Sequence, residues 1–132
     1  MARSLIQVAN QSTQVVAADS IISLGSTQRR FGCSCRLSGN GIEVSGEGYY
    51  TIDASVSIAP TAAGDVTIAV YENGLQIPGA IAYTTGAAGD PISVAINTTI
   101  RQRCCEDASN ITLVLIDGPG DVLNVSMRVV KE

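Results

Sequence analysis

The stretch "GEGYYTIDASVSIAP", residues 46–60, decides the fold class. From Tyr50 onward its side chains alternate: Tyr50, Ile52, Ala54, Val56 and Ile58 take one face, while Tyr49, Thr51, Asp53, Ser55 and Ser57 take the other. A period of two over this length is the mark of a β-strand with one dry and one wet side. "APTAAGD" ends it, and a dry face of that length needs a second sheet to cover it. Two adjacent tyrosines open the strand in a chain only 4% aromatic, so one points inward and its neighbour outward.

The same period recurs along the chain. "VTIAVYENGLQIPGAIAYTT" puts Val66, Ile68 and Val70 on one face and breaks at Asn73-Gly74, a pair that accepts the positive φ angles of a type I′ hairpin turn. "PISVAINTTIRQRC" aligns Ile92, Val94, Ile96, Thr98 and Ile100. "NITLVLIDGPGDVLNVSMRVVKE" reads as another antiparallel pair joined at Asp117-Gly118-Pro119-Gly120, its last strand turning Leu123, Val125, Met127 and Val129 to one side. Before residue 46, "VVAADSIISLG", "GCSCRL" and "GIEVSG" read as three brief strands. No window holds a capped helical apolar stripe. The prediction is an all-β, antiparallel sandwich or jelly roll of about nine or ten strands.

Bulk composition agrees with one such domain. A chain of 132 residues buries roughly two thirds of its unfolded surface when it folds as a unit. Hydrophobic content of 45% against 15% charged excludes a disordered chain, and 13 glycines suit a fold with many turns. A net charge of -4 argues against nucleic acid as a partner, because phosphate binding relies on clustered Lys and Arg. The basic pairs Arg29/Arg30 and Arg101/Arg103 read as solvated strand edges. The N-terminal "MARSLIQVANQSTQ" lacks the apolar core of a signal peptide, and no run approaches a membrane span of about 20 apolar residues, so synthesis in a cytoplasm without membrane attachment is expected. The Asn-x-Ser/Thr matches at Asn10, Asn97, Asn110 and Asn124 are read as chance products of Ser- and Thr-rich strands.

Reactive chemistry finds little to stand on. The chain has no histidine, which removes His-based triads and the His-rich metal sites found in other jelly rolls. Carboxylates remain at Glu43, Glu47, Asp53, Asp65, Asp90, Asp117 and Asp121, and a glycosidase needs two, but most fall at turns or on wet strand faces. The Asp-Gly loops "TAAGD", "GAAGDP" and "DGPGD" lack the calcium-loop spacing, and turn chemistry explains them. "GLQIPG" and "GAAGDP" open no helix, so they make no phosphate loop. No enzyme activity, cofactor or metal is expected. The cysteines Cys33, Cys35, Cys104 and Cys105 leave three readings open: reduced buried thiols, one or two disulfides if Cys33/Cys35 on one strand face neighbour the other pair, or a zinc site, against which the tight CxC and CC spacings count.

The order of these segments carries a resemblance. "FGCSCRLSGNGIEVSGEGYYTIDASVSIAPTAAGDVTIAVYENGLQIPGA", then "IRQRCCEDASNITLVLIDG" and a final "LNVSMRVVKE", resembles the small TNF/C1q-like jelly-roll proteins of bacteriophages, and is similar also to the trimeric tip domains of collagen-like glycoproteins on bacterial spores. The matching features are the G-x-Y-x-I strand opener, the D-V-T-I-A-V-Y-E-N-G hairpin, the "PGA" after it and the Cys pair before the penultimate strand, spread over most of residues 30–131.

The resemblance implies a homotrimer of TNF/C1q-like antiparallel jelly-roll sandwiches of about ten strands, packed around a threefold axis and used for display or decoration. Without a Gly-X-Y repeat, the chain departs from the spore glycoproteins and fits a capsid decoration or head-fibre protein of a tailed phage, made in the host cytoplasm and carried on the capsid exterior. Its partners on that reading are itself and the major capsid protein or another virion component. Residues 1–14 are expected as an arm and 15–132 as the jelly roll. Tyr49, Tyr50, Tyr71 and Tyr83 are candidates for the subunit interface, since a tyrosine ring packs while its hydroxyl stays wet. The rival readings are a receptor- or glycan-binding tip of a tail fibre and a spore-surface trimerisation domain.

Overall fold

The computed structural model describes residues 4–104 and 107–132, and the prediction for Cys105 lies outside them. In chain order the strands are β1 (Leu5–Asn10), β2 (Gln14–Val16), β3 (Ser20–Ile21), β4 (Ser26–Phe31), β5 (Cys35–Ser38), β6 (Gly41–Val44), β7 (Gly48–Pro60), β8 (Gly64–Glu72), β9 (Leu75–Gly86), β10 (Ile92–Gln102), β11 (Ser109–Asp117) and β12 (Gly120–Lys131). They form two antiparallel six-stranded sheets. The front sheet runs β10-β7-β12-β1-β4, with β2 beside β12; the back sheet runs β5-β6-β11-β8-β9, with β3 beside β11. The fold is an all-β jelly roll.

The alternation in β7 and β10 becomes packing. Tyr50, Ile52, Ala54, Val56 and Ile58 are all buried, paired across the strand boundary with Ile100, Ile96, Val94 and their neighbours on β10. Each fully buried aliphatic side chain contributes roughly 1.5–3 kcal/mol of transfer free energy, and this row meets Ile68, Val70, Leu113 and Leu115 of the back sheet in one continuous core. The Asn73-Gly74 turn forms as predicted, with φ of 53° and 82° and Glu72 paired to Leu75. At one end of the sandwich the buried Ser109 hydroxyl donates to Gln102 Oε1 at 2.8 Å, and Gln102 Nε2 donates to the Asp107 carbonyl at 2.7 Å, so β10 and β11 are tied without leaving a dry polar group unpaired.

Four expectations are corrected. Strands β11 and β12 do not pair: β11 lies between β6 and β8 in the back sheet, β12 between β7 and β1 in the front. The Asp117–Gly120 link is therefore a crossover between sheets. Its Gly118, at φ of 83°, leaves no room for a Cβ, which would stand 2.6 Å from the Asp65 carbonyl oxygen. Second, the β12 core row begins at Val122 and not at Leu123, because the pairing with β7 shifts register between Val122 and Asn124; this bulge turns Leu123 out of the row that continues at Val125, Met127 and Val129.

Third, the segment expected as an arm supplies a strand. β1 is inserted between β12 and β4, with Ile6 and Val8 fully buried, so only a short polar interruption had hidden its alternation. Fourth, Cys33 and Cys35 do not share a strand face. Cys33 is exposed in the turn ahead of β5, while Cys35 opens β5 and is buried.

Candidate assembly surface

The outward face of the front sheet is assembled row by row from cross-strand register. At one end Phe31, Leu5, Val130 and Thr51 stand side by side. Phe31 is 66% exposed although it is a large apolar side chain. Beside that row Tyr49 faces out, with the Arg101 guanidinium 5.8 Å from its ring centre, a cation–π contact across β7 and β10.

The middle row is charged. Arg29, Gln7, Arg128, Asp53 and Asn97 are successive partners across β4, β1, β12, β7 and β10. Asp53 accepts from Arg128 Nη2 at 3.0 Å through one oxygen and from Asn97 Nδ2 through the other. This network sits at the edge of a shallow concavity of about 470 Å³ floored by Ser55, Ala95 and Ser126. Further along, Ser57 and Ser93 share a hydrogen bond of 2.9 Å. The face thus combines a charged row, a shallow field of small polar side chains and one apolar end, a surface that another protein can approach.

The interface candidates divide. Tyr49 is on this face. Tyr50 is not: it is fully buried, its hydroxyl donating to the carbonyls of Ser45 at 2.7 Å and Gly46 at 2.8 Å, and burial raises its pKa against the opposing hydrogen bond from Ser34. It belongs to the core. Tyr71 and Tyr83 lie on the back sheet, Tyr71 half-buried and Tyr83 exposed. Sequence reasoning missed Arg128, Gln7 and Asn97, whose significance comes from register alone. A signal did exist for Asp53, a charge in mid-strand on the wet face.

Among the described carboxylates Asp65 and Asp117 line one shallow concavity, and the others are spread over both sheets and their connecting loops. Glu43 is held by Arg36 at 3.0 Å and Asp53 by Arg128, Glu47 and Asp90 are exposed outside the strands, and Asp65 and Asp117 stand at the open end of the back sheet. Among the described residues, no three His, Cys, Asp or Glu side chains gather as a metal site, and no buried side-chain nitrogen or oxygen lacks a partner. Burial pushes the Cys35 thiol pKa up to about 11, with Arg30 and Lys131 pulling the other way.

No family model matches the chain, and no curated protein matches it in sequence. Its shape is nevertheless shared with solved structures. It is similar to Eiger TNF from S. frugiperda (TM-score 0.71, 9% identity, covering 99% of this chain and 92% of that one). The globular domain of zebrafish complement 1qA aligns with a TM-score of 0.68 at 8% identity, over 94% of each chain. The PRD1 vertex protein P5 aligns with a TM-score of 0.64 at 12% identity, over 97% of this chain and 96% of that one. At these identities the likeness is one of fold: the chain is a TNF/C1q-like jelly roll.

Proposed function

We propose that the chain is a non-enzymatic structural protein of a phage virion, a homotrimer that decorates the capsid exterior through contact with the major capsid protein or another shell component. The observation that carries this reading is the fold likeness to the PRD1 vertex protein P5 over nearly the whole length of both chains. The front face supports self-association. Its edge strand β4 is exposed along its whole length, and closed symmetry is the usual way to cover such an edge together with an apolar row like Phe31, Leu5 and Val130. In the proposed trimer this face, with its Asp53–Arg128 row, is turned toward the threefold axis.

The test is purification of the phage that carries the gene, followed by separation of heads from tails and immunodetection of the chain. Signal on DNA-filled heads, released by capsid dissociation, is the expected result. Signal confined to tail fibres, or absent from the particle, overturns the capsid reading.

A further inference from the structure

Tyr83 is an aromatic side chain that neither the core nor the front face uses. It is 74% exposed on β9, and cross-strand register sets Thr67 of β8 beside it and Asp117 of β11 beside Thr67. In the next row Asp65 of β8 faces Thr85 of β9. With Thr84 these residues line a shallow concavity of about 420 Å³, within the size range of small-ligand sites. Tyr83 and Asp117 lie two strand spacings apart, about 10 Å, so an aromatic ring borders one side, carboxylates border the other, and Thr67 lies between them.

Thr67 carries the clearest sign of a ligand. It is only 7% exposed, yet among the described residues nothing hydrogen-bonds its hydroxyl. No fully dry side-chain oxygen of the described residues is left unpaired, so this hydroxyl is reached from the concavity that it lines. There it can both donate and accept. The two carboxylates are half committed: Asp117 Oδ1 accepts from the Gly118 amide at 2.9 Å, and Asp65 Oδ1 accepts from the Thr85 hydroxyl at 3.3 Å. The Oδ2 atom of each has no partner among the described residues.

Chemistry narrows what can fill this space. No Lys or Arg lines it, so a phosphate, sulfate or carboxylate group meets two like charges and no counter-ion. Calcium takes about six to eight oxygen ligands, and no third acidic side chain joins the pair among the described residues. A wholly apolar ligand would leave the Thr67 hydroxyl and the carboxylates dry and unpaired. What fits is a molecule with one face of C–H groups and a rim of hydroxyls. Its C–H groups pack on the negative face of the tyrosine ring, and its hydroxyls donate to carboxylate oxygens in short, charge-assisted bonds.

We infer that this concavity is a saccharide-binding site, which takes one or two rings of an oligosaccharide without acidic groups. Tyr83 stacks on the sugar's C–H face, Asp65 and Asp117 accept from its hydroxyls, and Thr67 closes the floor. The site is on the sheet opposite the one proposed for self-association, so the two readings fail separately.

The experiment passes the full chain over sensors that carry immobilised neutral hexose, N-acetylhexosamine or sialylated oligosaccharides. Binding within the first two classes, and none to the sialylated glycans, is the expected result. Tyr83→Ala weakens it about tenfold and Tyr83→Phe less than twofold, because the ring supplies the contact. Thr67→Val keeps the shape, removes the hydroxyl and weakens binding several-fold. Joint substitution Asp65→Asn and Asp117→Asn weakens it too, and narrows the gap between neutral and sialylated glycans. Leu75→Ser, at the far end of the β8–β9 hairpin, leaves it unchanged. Absence of binding to every neutral and N-acetylated glycan, preference for the sialylated ones, equal binding by wild type and Tyr83→Ala, or a loss on Leu75→Ser each overturns the proposal. Unchanged mass by light scattering and unchanged ellipticity in each variant separate loss of the site from loss of assembly or of fold.

Discussion

The Tyr50 hydroxyl donates to two successive backbone carbonyls, those of Ser45 and Gly46, at 2.7 and 2.8 Å. A single buried side chain thereby fixes the β6–β7 turn onto the start of the longest strand, close to Ser34 and Lys131 from two other segments. Tyr50→Phe keeps the ring and removes the donor. It is expected to lower unfolding free energy by about 1–2 kcal/mol, the net worth of a hydrogen bond plus the cost of unpaired carbonyls. Urea denaturation with an unchanged m value checks it; a loss below a few tenths shows that water replaces the hydroxyl.

Burial of Cys35 gives the protein an alkaline weakness. Its folded pKa is raised to about 11 from an ordinary value of 9.0, so the unfolded chain loses this proton first as pH rises. The associated stability is fully present below pH 9, falls between 9 and 11, and is gone above the folded value. Its slope is at most about 1.4 kcal/mol per pH unit. Tyr50, raised in the same direction by burial, adds a loss of the same sign above its ordinary value of 10.0. Denaturation curves at pH 8, 9 and 10 are expected to show falling midpoints for the wild type and a flatter trend for Cys35→Ala.

The crossover at Gly118 tolerates no side chain. A Cβ there meets both the Asp65 carbonyl oxygen and Val66, on a backbone at φ of 83°. Gly118→Ala is expected to cost about 2–4 kcal/mol, from left-handed strain plus overpacking, whereas Gly74→Ala, with open space around its Cβ position, costs only about 1 kcal/mol of backbone strain. Thermal melts of the two variants side by side check the ranking.

What was legible in the sequence follows from how local each cause is. The β7 and β10 faces and the Asn73-Gly74 hairpin depend on neighbours in the chain, and their residues stand where the alternation placed them. The β11–β12 crossover was not legible, because Asp117-Gly118-Pro119-Gly120 allows either a hairpin or a change of sheet and only packing chooses. The Leu123 bulge leaves no mark in composition. The front-face row of Arg29, Gln7, Arg128, Asp53 and Asn97 draws on both ends of the chain, with Gln7 directly opposite Arg128, and is visible only once register is known. The burial of Thr67, Ala69, Thr112 and Val114 on the outward side of β8 and β11 was not legible either, because it depends on which strands flank them.

The central claim is that this jelly roll works by association through its front face. Multi-angle light scattering of the purified chain at micromolar concentration tests it most directly, alongside Arg128→Glu, which disturbs an exposed ion pair worth no more than about 1 kcal/mol to folding and so leaves the fold intact. The account predicts three times the mass of one chain for the wild type and a single-chain mass for the variant. A wild type that elutes as a monomer, or a variant that keeps the wild-type mass, contradicts it.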